Sequence, residues 1–200
     1  MSDFIYLASQ SPRRAQLLQQ LGVAYQLLLP AAGEDTEALE AVRDGEAPAT
    51  YVRRVAACKL DAAVTRCANN GLPPAPVLCA DTTVALGRSI LGKPQDAADA
   101  AQMLARLSGR THRVLTAVAI EAHGRRHFAL QTSQVRFAAI DAARIARYVT
   151  TGEPMGKAGA YAIQGRAAAF VEHISGSHSG VVGLPLHETA ELLRAVGIAL

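Results

Sequence analysis

Ser9-Gln10-Ser11-Pro12-Arg13-Arg14 places two hydroxyls, a proline and two guanidiniums directly behind the apolar run Phe4-Ile5-Tyr6-Leu7-Ala8. A strand that turns into a helix through such a segment gathers backbone N–H groups, serine oxygens and arginine charge at one helix end. Those are the ingredients of a phosphate cradle. Ser11 is the expected N-cap, and Pro12 suits the first turn, where its missing N–H is not needed. A capped helix with two solvated arginines uses the same residues, and this segment alone does not choose between the two.

Asp81 is the strongest single acid. The apolar run Val77-Leu78-Cys79-Ala80 delivers it to an expected strand end, and Thr82 and Thr83 follow. Such a carboxylate can hold a divalent cation, orient water or accept its proton; a turn aspartate is the alternative. Lys59 borders the apolar stripe of an expected helix, so its charge needs water, an acid or a ligand, unless the chain snorkels to solvent. Lys93, between Leu91-Gly92 and Pro94, suits either phosphate neutralisation or a plain surface position. In the polar, glycine-rich turn from Glu153 to Tyr161, Lys157 can meet an anion. Gln164 carries an amide that both donates and accepts, as reading a nucleobase requires; a lid without substrate contacts is the alternative.

Other chemistries find little support. The six histidines are scattered without metal-ligand spacing, and Ser175 to Gly180 lacks the setting of a nucleophile elbow. Neither a Walker lysine motif nor a dinucleotide fingerprint occurs. Three cysteines, Cys58, Cys67 and Cys79, suit reduced structural thiols in a cytoplasmic protein. A net charge of +3 fits an anionic small substrate but does not specify nucleic acid, and no stable nucleic-acid partner is expected. No uninterrupted apolar run is long enough to predict a membrane span. The N-terminal residues, with Asp3 and no basic leader, do not read as a secretory signal.

The elements that must position these groups follow from periodicity. Strands are expected at 4–8, 23–29, 77–81 (which 82–86 can continue or restart), 113–120, 125–137 and 168–174, and helices at 12–21, 50–66, 97–107, 141–149 and 186–196. Asp96 should cap the third helix, and His123-Gly124-Arg125 should form a hairpin turn. Residues 30–49, 152–165 and the Gly/Ser segment after 174 read as loops. Half of the 200 residues are apolar, enough for a real core. The order predicts one α/β domain over 1–200, a mixed sheet with helices around it and chemistry at strand ends and loops.

Taken together, several segments resemble the Maf family of nucleoside triphosphate pyrophosphatases. They are Leu7 to Arg14, Ala80-Asp81-Thr82-Thr83-Val84, Leu91-Gly92-Lys93-Pro94 and Leu107 to His112, followed by Gly152-Glu153-Pro154, Lys157 to Gly165 and Val181 to Pro185. The Lys157 to Gly165 segment is similar to the branch acting on dTTP and UTP. The resemblance implies a Maf/inosine-triphosphatase-like fold, a mixed twisted sheet flanked by helices with two lobes around a nucleotide-binding cleft. It implies hydrolysis between the alpha and beta phosphates, a divalent cation (Mg²⁺ or Mn²⁺) and a homodimer. By the same resemblance Asp81 is the catalytic base with a metal-facing role. Ser9, Arg13, Arg14, Lys59, Thr82, Lys93 and Gln164 bind substrate, and Arg13, Thr82 and Gln164 govern nucleotide choice. Glu34 is the second metal-proximal acid, with Asp35 as its substitute because the acidic loop departs from the family pattern. A broader hydrolase of modified pyrimidine nucleotides, and a nucleotide-binding regulator of cell division, are the competing functions.

Overall fold

Alternation along one long strand organises the molecule. In the computed structural model, which describes residues 4–31, 34 and 38–200, β3 spans Val77–Leu86. Successive strand side chains point to opposite faces. Val77 and Cys79 accordingly join a core beneath the long helix α2 (Pro48–Asn69), with Val52, Val55, Ala56 and Leu60. Leu78 and Ala80 join the opposite core with Leu17 and Leu18 of α1 (Pro12–Gln20) and Leu192 and Leu193 of α6 (Leu186–Ala195).

Among the described residues the sheet has seven strands. The remaining ones are β1 (Ile5–Leu7), β2 (Tyr25–Leu27), β4 (Ser89–Leu91), β5 (Thr111–Ala122), β6 (Arg125–Phe137) and β7 (Val171–Ser175). Their order is β2-β1-β3-β5-β6-β7, with β4 paired to β3 off that path. β1 runs parallel to β2 and β3, and all other pairings are antiparallel, so the sheet is mixed. The parallel pair β1–β2 needs a crossover, which α1 supplies. The hairpin β5–β6 closes through His123 and Gly124, both at positive φ (51° and 72°), as a two-residue turn between twisted strands requires.

A third core fills the far end of the sheet. There Val84, Val114, Val135 and Phe137 pack against α3 (Ala97–Leu107), α4 (Ala142–Val149) and the segment carrying Tyr161 and Phe170. The cleft described below opens between this core and the α2 core. Asp96 caps α3 by accepting from the Asp99 backbone N–H. No helix among the described residues is long and apolar enough to cross a membrane.

Three local expectations need correction. β3 does not stop at Asp81: the β-branched residues Thr82, Thr83 and Val84 continue the ladder with β5, so Asp81 lies in mid-strand. Ser11 occupies the N-cap position of α1 but makes no side-chain cap bond. The Ser9 hydroxyl accepts from the Ser11 N–H at 3.1 Å. The Gly/Ser segment is not all loop, since Ser177 caps a short helix, α5 (His178–Val182), by accepting from Gly180 N–H.

Candidate active site

A cleft of about 420 Å³ opens where α1, α2, β3 and the 156–164 segment meet. All of the substrate-facing residues singled out in the sequence line it: Ser9, Arg13, Arg14, Lys59, Asp81, Thr82, Lys93 and Gln164. The strand alternation divides them. Odd-numbered Asp81 faces α2, and even-numbered Thr82 faces α1 and α5.

On the α2 face the groups are ionic. Lys59 Nζ donates to Asp81 Oδ1 and to Glu40 Oε1, both at 2.7 Å. Lys93 Nζ donates to Glu40 Oε2 at 2.6 Å. Two ammonium groups thus meet two carboxylates, and Asp81 is buried within them. Burial works to raise the Glu40 carboxyl, but the Lys59 and Lys93 ammonium groups outweigh it and hold the acid below its ordinary range. Glu40 ends a 3₁₀ turn, Ala38–Glu40, whose carbonyl accepts from the Tyr51 hydroxyl at 2.9 Å. Tyr51 comes from α2, one helix face thereby fixing both the lysine and the acid it meets.

Glu34 is placed differently. Its carboxylate takes two hydrogen bonds from Arg66 of α2, and that guanidinium draws the acid below its ordinary range. The acid beside Asp81 is therefore Glu40. Asp35 lies outside the described residues. No local motif marks Glu40 in the sequence; the signal for it is Lys59, a cation on an apolar helix face in need of a counter-ion.

On the opposite face a half-buried cation, Arg14, is met by neutral oxygens. Arg14 Nε donates to the Gly183 carbonyl at 2.9 Å, one terminal nitrogen to Ser9 Oγ at 3.4 Å and the other to Thr82 Oγ1 at 3.3 Å. Among the described residues Arg14 has no salt-bridge partner. Burial pushes its guanidinium below the usual arginine range, the Asp81 carboxylate pulls it back, and neighbouring Arg13 adds to the depression. Burial likewise lowers Arg13. Lys157 is lowered by burial first and then by Arg13. Three cations thus stand at one end of the cleft with their charge little neutralised, an arrangement that favours a polyanion.

Gln164 is exposed at the rim. Its loop is pinned from below by Glu153, which accepts from the Tyr148 hydroxyl at 2.9 Å and from the Arg166 backbone N–H at 3.1 Å. Gly165, next to it, leaves room for the Glu153 carboxylate, which a Cβ at that position would displace. Tyr161, also in the cleft wall, is tied through its hydroxyl to buried His112 Nε2 at 2.9 Å.

The donor set beside Lys59 is all oxygen. Among the described residues no cluster of three or more acids, histidines or cysteines forms a ready-made cation cage. Two converging carboxylates nevertheless suit a hard cation that keeps waters and shares phosphate oxygens with a substrate.

Comparison with known proteins identifies the family of the chain. The profile described as Maf-like protein matches residues 4–196. The chain is 66% identical to a dTTP/UTP pyrophosphatase from Polaromonas sp. over 98% of each chain. It is 63% identical to a dTTP/UTP pyrophosphatase from Albidiferax ferrireducens, again over 98% of each. Among solved structures, the Staphylococcus aureus Ham1 protein superposes with a TM-score of 0.47 at 12% identity, over 96% of this chain and 98% of that one. The chain belongs to the Maf family.

Proposed function

We propose that this Maf-family chain is a nucleoside triphosphate pyrophosphatase that acts on dTTP and UTP, releasing the nucleoside monophosphate and pyrophosphate. Relatives sharing about two-thirds of its residues over nearly the full length carry that activity in their names, which supports the substrate assignment. The structural observation that carries the reading is the convergence of Asp81 with cations from four separate stretches of chain in one cleft.

In this reading Arg13, Arg14 and Lys157 grip the phosphate chain at the α1 end. Each charge-assisted hydrogen bond contributes about 1.5–3 kcal/mol. Arg14 arrives pre-aimed by Ser9, Thr82 and Gly183, so little side-chain entropy is lost on binding. Asp81 is the base that takes a proton from the attacking water. Lys59 orients Asp81, and with Lys93 it is the source of positive charge for the phosphate oxygens next to the attacked phosphorus. These contacts raise the rate only as far as they strengthen when charge builds on the leaving pyrophosphate.

A divalent cation, Mg²⁺ or Mn²⁺, belongs to the proposal, with Asp81 and Glu40 as the residues that would hold it. When bound it supplies charge neutralisation of the triphosphate. Gln164, Thr82 and Arg13 are proposed to govern nucleotide choice. A homodimer is proposed on the family resemblance, and sedimentation of the purified chain tests it.

The function is tested by incubating the purified chain with dTTP, UTP, dCTP and GTP, with and without Mg²⁺ or Mn²⁺, and following pyrophosphate. Preferential release from dTTP and UTP, abolished by chelator, is expected. Equal rates across the panel would refute the pyrimidine preference, and undiminished rates in chelator would refute the cation requirement.

A further inference from the structure

Behind the Arg14 face lies a hydroxyl that does not line the cleft. Thr116 of β5 is fully buried and sits directly opposite Thr82 in the antiparallel ladder. Its Oγ1 lies 2.8 Å from the Gly180 carbonyl oxygen and 2.9 Å from Thr82 Oγ1. Proton accounting gives this chain of contacts a direction. The Gly180 carbonyl only accepts, so the single Thr116 proton goes there. Thr116 can then meet Thr82 only as an acceptor, which commits the Thr82 proton to Thr116. The Thr82 oxygen is thereby left with lone pairs outward, and Arg14, which only donates, binds one of them at 3.3 Å.

We propose that Thr116 is a positioning residue for phosphate binding: its hydroxyl fixes the direction of the Thr82 hydroxyl, which in turn holds the Arg14 guanidinium in place. Without it the Thr82 proton loses its acceptor and is free to point at Arg14, donor against donor. This rests on the proposed pyrophosphatase reading for what Arg14 grips. It also assigns Thr82 a role through its neighbour, in addition to any contact with the nucleotide. Gly180 does not depend on Thr116 for its seat. The segment is also held by Ser133, whose Oγ accepts from Ser177 N–H at 2.9 Å.

The test compares Thr116→Val, which keeps the shape, with Thr116→Ser, which keeps the hydroxyl. Inorganic pyrophosphate is used as a probe of the phosphate grip without a base, alongside kcat and KM for dTTP and UTP. Thr116→Val is expected to weaken pyrophosphate inhibition about tenfold, the scale of one hydrogen bond to a charged group, and to raise both KM values by the same factor. Its kcat should change less than about threefold, and Thr116→Ser should restore binding to within about twofold, since the lost bond is regained. A purely structural role would lower Tm without this split between KM and kcat. If Thr116→Val does not fold, Thr82→Val breaks the next link while leaving Thr116 on Gly180, and the same loss of pyrophosphate affinity is expected. Unchanged pyrophosphate affinity in whichever folded variant is measured, or a serine variant as weak as the valine one, overturns the proposal. A wild-type protein that neither hydrolyses dTTP nor binds pyrophosphate instead overturns the parent reading, and this inference with it.

Discussion

The two faces of β3 solve opposite electrostatic problems one residue apart. On the Asp81 side, Lys59, Lys93, Asp81 and Glu40 neutralise one another, and each ion already has its counter-ion. On the Thr82 side, Arg14 is held by a carbonyl and two hydroxyls. Neutral acceptors fix a guanidinium without cancelling its charge, so it stays available to an anion. An internally paired face must exchange partners when a substrate or cation arrives, whereas a face held by neutral oxygens is ready before binding. The first arrangement suits chemistry and the second suits grip.

That division can be broken most severely at Asp81. Asp81→Asn keeps the shape but removes the base, and single-turnover hydrolysis of dTTP should fall by about 10²–10⁴-fold, the usual worth of a positioned base. Pyrophosphate inhibition, read on the other face, should change little, and Tm should be near normal. Arg14→Lys comes next. The charge survives but the fork that spans Gly183, Ser9 and Thr82 does not, so KM for both nucleotides should rise by about 10–100-fold with a smaller change in kcat. Equal losses in kcat and KM would erase the separation between chemistry and grip. Gln164→Ala should shift the dTTP-to-dCTP preference by about tenfold, one hydrogen bond's worth, with phosphate binding unaltered. Parallel losses across a nucleotide panel would deny it a reading role.

The smallest effect on activity is expected at His112, which belongs to neither face. Burial among Phe137 and Tyr161 pushes its imidazole down to about 4, so it is neutral in the fold. The unfolded chain takes up that proton first, near pH 6.5. Stability from this site is therefore complete above about pH 6.5 and declines as pH falls toward 4, by roughly 1.4 kcal/mol per unit and about 3 kcal/mol in all. Urea unfolding of wild type and His112→Gln across that range tests the slope. An equally steep decline in the variant would assign the acid sensitivity to other groups.

Much of this layout was legible beforehand where a local rule applied. The Asp96 cap, the positive-φ hairpin at His123-Gly124 and the apolar stripe of α2 each follow from residue type and spacing. So did the need for a partner at Lys59, because a cation on an apolar face is costly alone. The partner's identity was not legible. Glu40 reaches Lys59 across nineteen positions through a turn set by the Tyr51 hydroxyl, and no periodicity encodes that. Thr116 was hidden for a related reason: a threonine inside a strand is ordinary until the register shows which hydroxyl lies opposite. Asp81 misled in the other direction. A charge after four apolar residues suggests a strand end, yet the threonines beyond it are good strand formers and Lys59 supplies the charge that lets the strand continue.

The central claim is that water prepared by Asp81 attacks the alpha phosphorus of dTTP, with pyrophosphate leaving. Hydrolysis in ¹⁸O-labelled water, followed by mass spectrometry of both products, tests it most directly. The account predicts one labelled oxygen in thymidine monophosphate and none in pyrophosphate. Label in the pyrophosphate, or products that are the diphosphate and orthophosphate, would contradict it.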